Sequence, residues 1–270
     1  MPDIYASIAD ADPAFVQQLA DRLELRAADP QQRAMLHSYL ADVAFPDAAR
    51  VLEVGCGSGA IARVLARWPG VRDVLGIDPS PILLERARQL ASGISNLSFE
   101  QADVRSLCLE NARFDVVVFH TSLCHIPEPE RALAEAYRVL RPGGRLVIFD
   151  GDYATTTVST GPQDPLQSCI EAAVDSLIHD PWLIRHLTAL VRAAGFDIWD
   201  LRGYAYTRTS DVAYLLSLLQ AGADFLVASG RIGDDLGAAL KAEATRRSDA
   251  GTFFGHIAYA SLLARKPSLA

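Results

Sequence analysis

Apolar positions in the middle of the chain recur in two alternating rhythms. Val51-Leu52-Glu53-Val54 is a short run that ends in a glycine-rich turn, after which Ile61, Val64 and Leu65 fall at helical spacing. Residues 73–77 form a second run, followed by a helix from Ser80 with Ile82, Leu83 and Ala87 on one side. Residues 97–99 read as a third strand, and 114–119 are apolar almost without a break, as in a parallel strand buried on both faces. Residues 130–140 put Leu133, Ala136, Tyr137 and Leu140 on one helical face. Arg138 and Arg141 complement that helix dipole, Pro142 stops the helix, Gly143-Gly144 turns the chain, and 145–149 is the next strand. This β-α alternation predicts a mostly parallel sheet with right-handed crossovers and helices on both faces.

The rhythm changes after Asp150. Residues 151–180 hold Thr155-Thr156-Thr157, Gly161-Pro162 and Asp164-Pro165 ahead of a helix over 167–178. A helix over 181–194 ends at Gly195 and leads to a strand over 196–206. Two helices follow between 209 and 249, one lined by Val212, Leu215, Leu216 and Leu219, the other by Leu236, Ala239 and Leu240. Residues 252–264 are a last β-rich run, and 12–44 form one or two helices ahead of the first strand. The expected division is an N-terminal helical cap segment at 1–45, a ligand-binding core at 46–150, and cap insertions at 151–180 and 209–250. The core resumes at 181–208, and 251–270 is its last strand with the C-terminus.

Composition narrows the partners. Half of the 270 residues are apolar and 21% are charged, and 33 acidic against 25 basic residues give a net charge of −8. A polyphosphate partner is ordinarily met by a basic face, so nucleic acid is not expected. Cys56, Cys108, Cys124 and Cys169 have no CxxC spacing, which argues against a zinc ribbon and a disulfide framework. Met1-Pro2-Asp3 carries acid where a signal peptide carries Lys or Arg, and the most apolar stretch, 212–228, is broken by Gln220 and Asp224. A reduced, cytoplasmic setting without a membrane partner is the expectation.

The sharpest local signal is Glu53-Val54-Gly55-Cys56-Gly57-Ser58-Gly59-Ala60, where a strand turns into a helix. Glycines there let backbone N–H groups approach a ligand at the helix N-terminus. Asp78 ends the second strand 19 residues beyond Gly59, where a carboxylate can accept bonds from a ribose diol. Read as G-x-G-x-x-A plus an acid, the same residues satisfy the dinucleotide fingerprint, so the motif alone leaves two cofactor classes open. His120 and His125 flank Cys124 just beyond the fourth strand, but this is no established ligand spacing and no metal site is expected.

The full run 51–59 resembles the first motif of class I S-adenosylmethionine-dependent methyltransferases. Gly76–Ser80, Gln101–Val104, Phe114–Val118 and Arg138–Gly144 follow in the family's order. The resemblance is strong over 46–150 and is similar to the ubiquinone- and menaquinone-biosynthesis type and to natural-product small-molecule methyltransferases. It implies a Rossmann-like three-layer α/β sandwich, a mostly parallel seven-stranded sheet with an antiparallel last strand, a helical cap, and S-adenosyl-L-methionine as cofactor. Carried over residue by residue, Gly55 and Gly57, with Cys56 between them, approach the methionine end by their backbone, and Glu53 holds that loop. Asp78 takes the ribose hydroxyls beside Pro79, Leu83 packs on adenine, Asp103 takes the adenine amino group, and Val104 lies by the ring. His120 meets the methionine moiety, and Tyr5 closes over the site from the N-terminal segment.

His125 is the first candidate for a general base and His256 the second, with Asp150 and Asp152 behind them. Topology brings the cap segments to the same sheet edge, where Tyr5, Tyr153, Trp182, Tyr204 and Phe253 are expected to suit an apolar or aromatic acceptor. The expected activity is therefore methyl transfer from S-adenosylmethionine to a small acceptor molecule of the kind met in secondary metabolism. An NAD(P)-dependent oxidoreductase and a non-catalytic cofactor-binding protein are the alternatives. Asp103-Val104 and the lack of a Tyr-x-x-x-Lys argue against the first, and about 100 residues of cap segments against the second. The long apolar cap helices could serve a homodimer.

Overall fold

The computed structural model describes Ile8 and residues 11–268. Its strands are β1 (Ala49–Val54), β2 (Val71–Asp78), β3 (Leu97–Gln101), β4 (Phe114–His120), β5 (Leu140–Thr157), β6 (Asp197–Arg208) and β7 (Gly255–Arg265). They form one sheet in the order β3-β2-β1-β4-β5-β7-β6. β7 runs antiparallel to β5 and β6, and the other pairs are parallel. Every residue of β4 is buried, as its unbroken apolar sequence requires for a strand covered on both faces. The strand order reverses between β1 and β4, which opens a crevice at the carboxyl ends of the strands, the usual place for a ligand in such sheets.

Helices α1 (Pro13–Ala28), α2 (Pro30–Ala41), α3 (Ala60–Leu65), α4 (Pro81–Leu90), α5 (Pro129–Val139), α6 (Leu166–Leu177), α7 (Leu183–Ala193), α8 (Ala213–Ala228) and α9 (Asp234–Asp249) surround the sheet. Two Asp-Pro pairs start the first two. Asp12 and Asp29 each accept two backbone N–H bonds of the first turn, and the proline that follows lacks a donor where none is needed. Asp29 is itself buried and also accepts from the Tyr206 hydroxyl at 3.0 Å, which fastens the start of α2 to β6. Val16, Leu19 and Ala20 of α1 pack with Leu83 of α4 and Ala173 and Leu177 of α6 in a small cluster apart from the main core. α6 lies along α8, and α8 against α9.

Three features correct the sequence reading. The strand expected over 145–149 runs from Leu140 to Thr157, because β7 is long enough to pair Gly151 with Tyr259 and Asp152 with Ala258. The first residues of the expected 151–180 insertion are thus part of the sheet. Gly143-Gly144 turns the chain inside β5 and not before it: Gly143 has φ of +75°, residues 140–145 oppose only 114–116 of β4, and the Gly143 N–H donates to the Lys266 carbonyl at 2.9 Å. On α9, Leu236 is 51% exposed and Ala239 is exposed, while Gly237, Leu240 and Ala244 face inward. Close packing sets that face, since a Cβ on Gly237 would come within 2.5 Å of Val227 Cγ2.

Candidate active site

The carboxyl ends of β1, β2 and β4 and the turn after β3 surround a cavity of about 170 Å³. Its first wall is the glycine loop. The Gly55 and Cys56 N–H groups both donate to the Ile77 carbonyl, at 2.8 and 3.0 Å, so the loop hangs from the end of β2. Gly57 has φ of +53°, a left-handed value that L side chains rarely adopt, and a Cβ there would lie 2.6 Å from Leu23 Cδ1. α1 is drawn over this loop by Glu24, whose carboxylate accepts from Ser58 Oγ and from Arg63, both at 2.6 Å.

Two carboxyl groups face the cavity from strand ends. Asp78 accepts from the Gly57 N–H and the Ser80 N–H, both at 2.9 Å, yet burial still pushes its pKa up to about 6. Glu53 is 2% exposed, its Oε2 has no hydrogen-bond partner, and burial pushes it up to about 8 against the pull of Arg63. Leu83 and Val104 supply buried apolar surface to the same cavity. Asp103 stands at its edge with its carboxylate gripped by Arg105 at 2.7 Å, a bond that holds it below the usual carboxylate range.

His120 closes the inner end. Its Nδ1 lies 2.7 Å from the Tyr39 hydroxyl, its ring stacks on Phe149 at 4.9 Å, and burial depresses its pKa well below the ordinary value. Burial thus favours the neutral imidazole over the charged one. Thr121 follows at φ of +50°, a strained conformation for a β-branched residue. The reversal it makes brings Ser122 Oγ to the Val54 carbonyl at 2.7 Å and starts the short 3₁₀ turn Leu123–His125. Beneath that turn, the fully buried Asp150 accepts from the Cys124 and Gly151 N–H groups, at 3.1 and 2.9 Å. Burial raises the Asp150 pKa, with the nearby His125 pulling the other way.

A second cavity, of about 40 Å³, adjoins the first. Ile170, Ala173, Val174 and Leu177 of α6 and Tyr214 and Leu218 of α8 wall it, with Tyr153 and Thr156 of β5 and Arg22 of α1. Leu23, Arg26 and His125 line both cavities, which places them at the junction. Among the described residues no group of three or more His, Cys, Asp or Glu side chains is disposed to hold a metal ion.

The first cavity gathers Glu53, Gly55, Cys56, Gly57, Asp78, Pro79, Leu83, Asp103, Val104, His120 and His125. Tyr5 lies outside the described residues. His256 is not brought to either cavity: its Nδ1 lies 2.9 Å from Thr207 Oγ1, across the β6–β7 pair. Asp150 lies under the His125 turn and Asp152 pairs with Arg185 at 2.9 Å, so neither lines a cavity. Of the aromatic residues expected around an acceptor, Tyr153 lines the second cavity. Trp182 is 50% exposed beneath the Arg185 guanidinium, Tyr204 reaches Ser261, and Phe253 is core. Arg22, Arg26, Gln32 and Tyr214 were not foreseen. The Asp29-Pro30 pair was the available signal for Gln32, because it fixes the third residue of α2 in register against the sheet.

A methyltransferase domain family matches residues 52–148. The phthiotriol/phenolphthiotriol dimycocerosates methyltransferase of Mycobacterium leprae (strain TN) is 32% identical over 204 residues, which cover 69% of this chain and 74% of that protein. Methyltransferase GfsG of Streptomyces halstedii is 31% identical over 210 residues, covering 74% of this chain and 64% of that one. The chain spans only about half to two thirds of the length of some of the curated relatives it matches. Among solved structures, the [4+2]-cyclase SpnF superposes with a TM-score of 0.57 at 24% identity, over 88% of this chain and 82% of that one. At that identity the likeness speaks for the fold alone, and a cyclase on this fold is a reminder that chemistry resides in the site.

Proposed function

The chain belongs to the class I S-adenosylmethionine-dependent methyltransferases, and from that premise we propose that it methylates a small, largely apolar or aromatic acceptor held in the second cavity. Family membership resolves the two cofactor classes that the glycine motif alone left open. The first cavity fits the family's cofactor on its own features. Glu53 Oε2 is a buried acceptor without a donor, suited to the methionine ammonium group. Each Asp78 oxygen carries one backbone bond and retains a lone pair for a ribose hydroxyl. Leu83 and Val104 offer apolar surface to adenine, and Asp103 an acceptor to its amino group. Arg26, whose charge reaches His120, Tyr39 and Tyr259, lines the same cavity and can face the methionine carboxylate.

S-adenosylmethionine, when bound, supplies a methyl group on a positively charged sulfur, and the protein's part is to align an acceptor with it and exclude water. The helices of the second cavity provide the exclusion. His125 would take the acceptor's proton on an imidazole nitrogen, and Asp150, by fixing the backbone of the turn, holds that ring at the junction. The observation that carries the reading is the meeting of the two cavities at Leu23, Arg26 and His125. Its test is formation of S-adenosylhomocysteine from S-adenosylmethionine and a panel of small aromatic hydroxy compounds, by the wild type and by His125→Ala. Turnover by the variant should fall about 10²–10⁴-fold with cofactor-product affinity unchanged. Equal rates across pH would remove His125 from proton transfer.

A further inference from the structure

Among the described residues Arg22 meets no counter-charge. It is half buried on α1, lines the second cavity but not the first, and its Nε and Nη1 have neither solvent nor a hydrogen-bond partner. The acids beside it in sequence are turned elsewhere: Glu24 holds Arg63 and Ser58, and Asp21 is exposed beside Gln17. Arg63, Arg138 and Arg247, which are similarly sheltered, each meet a carboxylate at 2.5–2.7 Å. Guanidinium keeps its charge at any physiological pH, so desolvated and unpaired N–H groups are a standing cost.

Arg26 lines the same cavity one helical turn further on, and like charges at that spacing repel. The rest of the wall is apolar side chains, tyrosines, a threonine and His125, with no acid among the described residues. A guanidinium on a residue that borders a ligand space, with two desolvated and unanswered nitrogens, is matched by the planar pair of oxygens of a carboxylate once the side chain turns to meet it. Because Arg22 borders only the second cavity, a carboxylate held there would belong to the acceptor and not to the cofactor.

We propose that the acceptor is a small aromatic or branched aliphatic carboxylic acid, bound as its carboxylate by Arg22 with its apolar body against Ala173, Leu177 and Leu218. The inference rests on the methyltransferase reading and names the substrate class of that site. The experiment is ligand-detected NMR on the full chain saturated with S-adenosylhomocysteine. The probes are a set of aromatic and branched acids, each paired with its neutral amide, 4-hydroxybenzoate and 4-hydroxybenzamide among them.

Acids should bind about tenfold or more tightly than their amides. Arg22→Met should erase that preference and Arg22→Lys restore part of it, with cofactor-product affinity unchanged in both and the melting temperature of Arg22→Met no lower than that of the wild type. Amides binding as well as acids, or no acid binding at all, overturns the proposal, and the wild-type comparison stands even if a variant does not fold. Weakened S-adenosylhomocysteine binding in a folded Arg22→Met also overturns it, by moving the guanidinium to the cofactor. A wild type that does not bind S-adenosylhomocysteine fails at the underlying reading instead, so the two failures are distinct.

Discussion

The first cavity is walled mainly by strand ends and a glycine loop, with α1 and α2 over them, the second mainly by side chains of α1, α6 and α8, and the contrast explains how one fold can keep a cofactor while changing an acceptor. In the first, backbone N–H groups of the loop and side chains held by backbone stand beside His120, Arg26 and Gln32. Asp78, for instance, is fixed by two N–H bonds from the loop it faces. In the second, shape comes from helices packed on one another: Gly222 of α8 sits so close to α6 that a Cβ there would collide with the Cys169 carbonyl. Changing a strand end should therefore abolish binding outright, whereas changing a cap residue should alter which molecule reacts.

The largest expected effect is in the loop. Gly57→Val forces a β-branched residue to φ of +53° and into Leu23, so affinity for S-adenosylhomocysteine should fall by about 100-fold or more while the fold persists. Calorimetric titration with a circular dichroism control measures it. Normal binding would show that the loop does not shape the cofactor cavity. Ala173→Leu probes the other wall. Added bulk on α6 should cost about 1–3 kcal/mol of stability through overpacking, leave S-adenosylhomocysteine affinity within about twofold, and lower acceptor turnover roughly tenfold. Parallel losses of both would mean the two cavities are one.

A smaller effect follows from Glu53. Its pKa is raised from 4.5 to about 8, so between those values the folded chain keeps a proton that the unfolded chain has lost. Stability of the ligand-free protein should then fall as pH rises through that window. Asp78, raised from 3.8 to about 6, adds the same sign only in the lower part. From pH 6 to 8 the loss belongs to Glu53, about 2 kcal/mol, and Glu53→Gln should flatten it in chemical denaturation. An ammonium group beside Glu53 favours the carboxylate, so S-adenosylhomocysteine should expel a proton and bind more tightly toward pH 8. A wild-type slope matching that of Glu53→Gln would deny the buried carboxyl group that role.

What the sequence disclosed divides along the same line. Glu53, Gly55, Gly57, Asp78 and Asp103 sit at strand ends, where a run of ten residues is enough to show both the element and its terminus. The full length of β5 was hidden because its outer half exists through pairing with β7, about 100 residues away. The inward face of α9 was misjudged because Gly237, which carries no hydrophobic signal, occupies its closest contact. His256 was placed by strand direction alone, which brings the right end of β7 to the edge but does not say that its side chain turns to Thr207. Arg22 and Tyr214 escaped notice because a helical face that lines a cavity reads like one that lines a core.

A crystal structure with S-adenosylhomocysteine tests the central claim, that two differently built cavities meet at one reacting centre. It should show adenine against Leu83 and Val104, the ribose on Asp78, and the sulfur at the rim shared by Leu23, Arg26 and His125, open toward Tyr153 and Leu177. A sulfur turned away from that rim, or the homocysteine end lying against Leu83, would contradict the account.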